Sequence, residues 1–252
     1  MHKLETQNIT MKFGSETIIR DISISVDQGE LVCLLGVSGS GKTTLFNCIS
    51  GIYTPVSGRV MLDGEDITGT TGRISYMLQK DLLLPYKTIE DNVALPLIIR
   101  GMPRDEARAR ASEYFKEFGL EGTQTMYPKQ LSGGMRQRAA LLRTYLFSDN
   151  VALLDEPFSA LDTITKGRIH RWYLDVMEKI NLTTVFITHD INEAILLSDR
   201  IYIMTGRPGE IKSEVRIKTP RSDRHGYDLT DGFMDYKRQI MGILGEEKRE
   251  TE

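Results

Sequence analysis

An α/β fold with a mostly parallel sheet is predicted by three features of this sequence. Short, continuous apolar runs recur at residues 31–35, 151–154 and 184–187, as strands buried on both faces of a parallel sheet require. Segments with helical apolar spacing stand between them, and strands alternating with helices mark this class. Residues 3–28 instead alternate apolar and polar positions, through Leu4, Ile9, Ile18, Ile22, Ile24 and Val26. That period predicts an antiparallel β-subdomain ahead of the parallel core.

The remaining elements follow in order. The run at 31–35 ends in glycine, and a helix is expected from Lys42 to about Ser50. The middle of the chain reads as an inserted helical subdomain over about 80–150, where Ala107, Ala111, Phe115 and Phe118 share one face of a helix in 104–118. A helix between the strands at 151–154 and 184–187 carries Ile169, Trp172, Val176 and Ile180, and this stripe is read as core. Residues 201–204 and 210–217, parted by Gly206-Arg207-Pro208-Gly209, predict a hairpin. A last amphipathic helix over 229–244 places Leu229, Phe233, Tyr236, Ile240 and Ile243 on one side, and the charged residues 246–252 are expected to fray. The chain is read as a single domain over 1–252, with the hairpin and last helix at about 200–245.

Composition narrows the function. The chain has 252 residues, with 32 basic and 35 acidic side chains, so its formal charge is 32 − 35 = −3. No basic field draws it to nucleic acid, and none is expected as a partner. Its two cysteines, Cys33 and Cys48, lie in apolar contexts and are expected to be reduced core thiols. The N-terminus does not read as a secretory signal, and no run approaches the roughly 18 apolar residues of a membrane span. The chain is therefore expected to be soluble and cytoplasmic, and any membrane role must come through a partner.

Residues 36–43 read Gly-Val-Ser-Gly-Ser-Gly-Lys-Thr and fit the phosphate-loop pattern between a strand and a helix. Glycines let successive N–H groups turn inward onto phosphate oxygens, and the helix start adds its positive dipole end. Gly36, Ser38, Gly39, Ser40, Gly41, Lys42, Thr43 and Thr44 are the candidate nucleotide contacts. Lys42 is expected to reach the β- and γ-phosphates, with the Thr43 hydroxyl on Mg²⁺. These residues define a P-loop NTPase core. At 151–156, four apolar residues precede Asp155 and Glu156. Asp155 at the strand end is expected to meet the Mg²⁺ shell, and Glu156 to polarise the attacking water.

Leu131-Ser132-Gly133-Gly134-Met135 closely resembles the signature sequence of the ATP-binding-cassette (ABC) family, with Met135 where glutamine is usual. Other family motifs appear in order: Gln79 at the Q-loop, Ser159-Ala-Leu-Asp162 at the D-loop, His189 at the switch position, and Phe13 in the place of the adenine-stacking aromatic. The resemblance covers about residues 3–217. It implies that Ser132, Gly133 and Gly134 face ATP held by a second copy of the chain, that Gln79 touches Mg²⁺ or the attacking water, and that His189 bonds the γ-phosphate or that water. ATP and Mg²⁺ are the implied cofactors.

Asp81-Leu-Leu-Leu-Pro-Tyr86 resembles the segment after the Q-loop in the nitrate/sulfonate/taurine importer group, as do Arg207-Pro-Gly209 and Pro220-Arg221. The resemblance implies an integral membrane permease as partner, with an extracytoplasmic solute-binding protein beyond it. An exporter-type ABC ATPase and a non-transport ABC ATPase stay open as alternatives.

Overall fold

The computed structural model describes residues 2–148, 150–159 and 162–250, without the side chains of 163, 164 and 246–250. In chain order the elements are β1 (Leu4–Phe13), β2 (Glu16–Val26), β3 (Leu31–Gly36), α1 (Lys42–Ile49), β4 (Ser57–Leu62), β5 (Glu65–Asp66), β6 (Ser75–Met77), α2 (Ile89–Ile99) and α3 (Arg104–Ser112). There follow α4 (Gly133–Phe147), β7 (Val151–Asp155), α5 (Thr163–Ile180), β8 (Thr183–Thr188), α6 (Ile191–Leu197), β9 (Arg200–Thr205), β10 (Glu210–Arg216) and α7 (Asp231–Glu250). The chain divides into two compact units, Met1–Ile74 with Thr183–Glu252, and Ser75–Leu182.

The first unit holds two sheets. One is antiparallel, in the order β2-β1-β4-β5. In the other, β3 lies parallel to both β8 and β9, and β10 runs antiparallel to β9. Every residue of β3, β8 and β9 is buried, and each strand carries an apolar run at its centre, Leu31–Leu35, Val185–Ile187 and Ile201–Met204. The N-terminal alternation holds with one shift. Ile19 is buried, where the simple period had placed Ile18, which is half-buried. The β1–β2 register slips between Ile9 and Met11 and again between Met11 and Lys12, and each slip moves the inward position by one.

Arg200, on β9, is a buried cation with a full set of partners. It donates to Glu214 at 2.9 Å through both Nε and Nη2, to Ser25 O at 3.0 Å, and sits 3.3 Å from Glu30. The Glu214 hydrogen bond holds its guanidinium far above its usual range. This pairing fixes the β9–β10 hairpin against β2 and the start of β3. Helix α7 begins at Asp231, later than the amphipathic pattern suggests, because Thr230 accepts from Phe233 N and caps it. Leu229 therefore falls before the helix in a 3₁₀ turn and is 88 % exposed, while Phe233 and Ile240 are buried. Of the expected frayed tail, the backbone of 246–250 continues α7, and 251–252 lie outside the described residues.

In the second unit β6 and β7 pair in parallel, with α2, α3, α4 and α5 around them. The helix expected over 104–118 stops regularly at Ser112. Residues 113–119 continue as turns with Tyr114 N, Phe115 N and Gly119 N each bonded to the carbonyl three residues back. The apolar face persists through this tightening: Ala107, Ala111, Phe115 and Phe118 are all buried. Phe118 packs edge-on against Trp172 of α5, whose ring also carries the Arg138 guanidinium at 4.6 Å.

Candidate active site

The phosphate loop grows directly out of β3 in the first unit. Gly41, at φ 91°, caps α1 in a left-handed conformation, and Gly39 has φ 84°. Close packing adds to the demand for glycine. A Cβ on Gly36 would overlap Met204 O, and one on Gly41 would overlap the Ile19 side chain. The loop is thus wedged between β2 and β9, and its shape is set before any ligand arrives. Lys42 is buried at the start of α1, and its Nζ donates to Gly36 O at 2.9 Å and Val37 O at 2.8 Å. Ser38, Gly39 and Thr43 are exposed, and Thr44 is half-buried. Ser40 Oγ is buried with no hydrogen-bond partner among the described residues, an orphaned donor inside the cradle.

His189 leaves the same end of this sheet. In the parallel β3–β8 pair Leu35 lies opposite Thr188, so Gly36, the last residue of β3, and His189, the first after β8, leave side by side. His189 is exposed, and its neighbour Asp190 caps α6 by accepting from Asn192 N at 2.8 Å. Thr188 Oγ1 donates to the buried Glu193 at 2.6 Å and accepts from Asp190 N at 3.0 Å, which fixes the turn. Phe13, at the end of β1, is 47 % exposed and meets Tyr53 edge-on at 5.4 Å. Behind the loop Cys33 and Cys48 are free and buried, and burial pushes the Cys33 thiol well up and that of Cys48 to about 11. Neither is a nucleophile at neutral pH.

The second unit assembles the carboxylates and the signature turn. Met77 pairs with Leu154, so Gln79 and the Asp155-Glu156 pair leave β6 and β7 at one end. Asp155 is buried at the tip of β7. Glu156 adopts φ 46°, a left-handed conformation that costs a non-glycine residue about 1 kcal/mol. Its Oε2 accepts from Gln79 Nε2 at 3.0 Å. Ser159 Oγ donates to Glu156 O at 3.0 Å, closing the turn that follows. Asp162 caps α5 by accepting from Thr165 N at 3.0 Å, whereas residues 160 and 161 of the D-loop lie outside the described residues.

Ser132 caps α4, its Oγ accepting from Met135 N at 3.3 Å. It is exposed, and Gly134 is buried where a Cβ would press on Ile169 at 3.2 Å. Gln137, one turn along, donates to Pro157 O and joins this helix to the residue after Glu156. Arg136 bonds Asp81 at 3.2 Å, and Arg143 donates to Leu82 O at 2.9 Å and Asp81 O at 2.6 Å. The signature helix therefore grips both the chain after Gln79 and the chain after Glu156.

The first unit thus carries a phosphate-loop cradle with a lysine, and the second an acidic strand end and a carboxylate steadied by an amide. The family model described as ABC transporter matches residues 19–159, more than half of the chain. The chain belongs to the ABC transporter family. A formylaminopyrimidine import ATP-binding protein of Halalkalibacterium halodurans is 43 % identical over 93 % of this chain and 92 % of its own length. A nitrate import ATP-binding protein of Synechocystis sp. is 37 % identical over 96 % of this chain and 93 % of its own. Among solved structures, a dimeric ATP-binding cassette in a post-hydrolysis state with ADP and Pi bound is 31 % identical. It superposes with a TM-score of 0.71 over 86 % of this chain and 100 % of that one. CbiO1 of Clostridium perfringens, part of an ABC transporter complex, shares the fold at a TM-score of 0.79 and 23 % identity, covering 95 % of this chain and 99 % of its own.

As an ABC ATPase the chain binds and hydrolyses ATP. Its α/β fold, with an antiparallel sheet beside parallel strands, is that of the family. Among the described residues no cluster of three or more His, Cys, Asp or Glu could hold a metal ion. A magnesium held by one hydroxyl, one carboxylate and nucleotide phosphates needs no such cluster, and the exposed Thr43 and the strand-end Asp155 are the residue types it takes. Tyr53, the ring beside Phe13, and the grip of Arg136 and Arg143 on residues 81–82 carry no motif of their own. Both are contacts between distant segments that no periodic pattern announces.

Proposed function

We propose that this chain, as one nucleotide-binding domain, powers uptake of a small solute by closing with a second copy around ATP. In this reading Gly36, Ser38, Gly39, Ser40, Gly41, Lys42, Thr43 and Thr44 hold the phosphates, and Phe13 takes the adenine. Magnesium, held by Thr43, Asp155 and Gln79, neutralises charge on the phosphates when bound. Glu156 accepts the proton of the attacking water, His189 bonds the γ-phosphate, and Ser132, Gly133 and Gly134 contact the ATP of the opposite copy. The hydrogen bond from Gln79 to Glu156 is the observation that carries this reading. It ties the proposed base to the segment that α4 holds through Arg136 and Arg143. A change at the γ-phosphate thereby has a mechanical route to residues 81–86.

Substituting Ser132 tests the dimer. Ser132→Arg leaves P-loop and Phe13 intact, so ATP affinity of the isolated chain should stay within about threefold of wild type. A bulky cation on this exposed cap should nonetheless abolish ATP-driven dimerisation in light scattering and cut turnover about 100-fold or more, a loss of 2.7 kcal/mol or so. Full activity in Ser132→Arg would remove the signature turn from the nucleotide interface.

The receiving surface for the permease is the stretch after Gln79. Leu83 is buried and Leu84 half-buried, whereas Leu82 is 52 % and Tyr86 73 % exposed. Exposed apolar anchors beside a nucleotide-sensing glutamine suit a membrane subunit's helix. No described helix of this chain is long and apolar enough to cross a membrane, so transport requires that subunit. The proposed position is the cytoplasmic face of the membrane, with a solute-binding protein delivering cargo on the other side. The cargo class proposed is that of the nitrate/sulfonate/taurine group, in line with relatives named for nitrate and aliphatic sulfonates. Tyr86→Glu should preserve the melting temperature and isolated ATPase activity, yet lose co-purification with the permease. Retained co-purification would move the docking surface elsewhere.

A further inference from the structure

The turn of the β9–β10 hairpin brings to the phosphate loop a cation, Arg207, to which no role in the nucleotide site has been given above. Gly209 is fixed in three ways. Its N–H donates to Ile18 O at 2.8 Å, its carbonyl accepts from Arg20 N at 3.0 Å, and a Cβ there would overlap Ser40 O. Two residues earlier Arg207 is exposed, yet its guanidinium folds back over Gly39, the exposed glycine at the crown of the loop. Nη2, Cζ and Nε would lie 2.9, 3.7 and 3.9 Å from a Cβ at that glycine, so the charged fork faces the loop. Among the described residues Arg207 has no ion pair or hydrogen bond. The nearby carboxylate on its own hairpin, Glu210, is engaged with Arg20 at 3.2 Å.

This placement runs against electrostatics in the absence of an anion. Loops of this kind turn amides toward their ligand, α1 adds the positive end of its dipole, and Lys42 supplies a full charge. An unpaired exposed arginine gains more from extending into water than from approaching such a cluster. The arrangement becomes favourable once a polyphosphate enters. The planar fork then offers paired donors to phosphate oxygens beside the lysine.

We propose that Arg207 is a phosphate ligand of the nucleotide site, a second protein cation that binds the polyphosphate tail from the hairpin side of the P-loop. The proposal rests on the reading that ATP lies in this loop. It assigns the hairpin turn a direct part in holding nucleotide, so that loss of the tail frees the turn.

The test uses the purified full-length chain and calorimetric dissociation constants for ATP, ADP and AMP with wild type, Arg207→Gln and Arg207→Lys. Arg207→Gln should weaken ATP binding about tenfold, the size of a single exposed charge-assisted contact, weaken ADP less, and leave AMP unchanged. Its ATP affinity should also fall less steeply with salt than that of wild type. Arg207→Lys should recover to within about threefold, and the nucleotide-free melting temperatures should coincide, since the side chain is exposed. Wild-type ATP affinity in Arg207→Gln would overturn the proposal. So would equal weakening of ATP and AMP, which would reveal a packing defect, or a lysine variant no better than the glutamine one. Failure of the wild-type chain to bind ATP would instead overturn the nucleotide reading itself.

Discussion

Lys42→Ala should abolish measurable ATP binding, raising the dissociation constant at least about 100-fold. Two losses combine. The first is the cation at the phosphates, where charge-assisted hydrogen bonds contribute about 1.5–3 kcal/mol each. The second is local: Nζ now donates to Gly36 O and Val37 O, so the lysine also holds the entry to the loop in its turn. Without it the amide cradle must be ordered by the ligand, which adds an entropic cost to binding. Folding should survive, because β3 and the glycine contacts with Ile19 and Met204 remain. A melting curve alongside calorimetry separates the effects. An unchanged midpoint with lost binding is the expected result, and ATP affinity within threefold of wild type would show that nucleotide does not sit in this loop.

Much of this fold is written locally. The runs at the centres of β3, β7 and β8 are apolar because both faces of those strands are buried, so their pattern depends on no distant neighbour. The boundaries that shifted did so through tertiary or capping effects. Ile19 replaced Ile18 inside because the β1–β2 register slips, and Asp21 takes φ 52°, which alternation cannot express. The helix after Arg104 tightened near Ser112 while keeping its apolar face, since i→i+3 bonds preserve nearly the same side-chain stripe. Leu229 fell outside α7 because Thr230 made a better cap than the apolar spacing implied.

The site divides along the same line. The phosphate loop was legible because its eight residues are contiguous and each residue type has a local reason. Asp155 and Glu156 were legible because a buried strand ends on them. What the sequence did not contain is the wiring between segments. Gln79 and Glu156 stand 77 positions apart, Arg143 and Leu82 stand 61 apart, and Arg207 reaches Gly39 from another hairpin. Those links depend on strand order and turn geometry, which periodicity does not encode.

Glu156→Gln should bind ATP within about threefold of wild type and lose hydrolysis by about 100-fold or more, the usual scale for removing a general base. The substitution is nearly isosteric. The amide oxygen can still accept from Gln79 Nε2, as Oε2 does now at 3.0 Å, so the local architecture should persist. The left-handed backbone at φ 46° is equally strained for both residues, so the change adds no new conformational cost. What disappears is the capacity to take a proton from the attacking water. Because ATP is then held without turnover, the nucleotide-bound dimer should accumulate, visible as a doubling of mass in light scattering that requires added ATP. Mass action should also raise the melting temperature of this variant with ATP more than that of wild type, whose ATP is consumed during the scan. Glu156→Ala separates the two roles of the side chain. It removes both the base and the Gln79 acceptor, so it should lose hydrolysis to the same degree and stabilise the ATP dimer less. If Glu156→Gln turns over ATP within threefold of wild type, the base is another group, and the Gln79–Glu156 contact is left as a positioning bond alone.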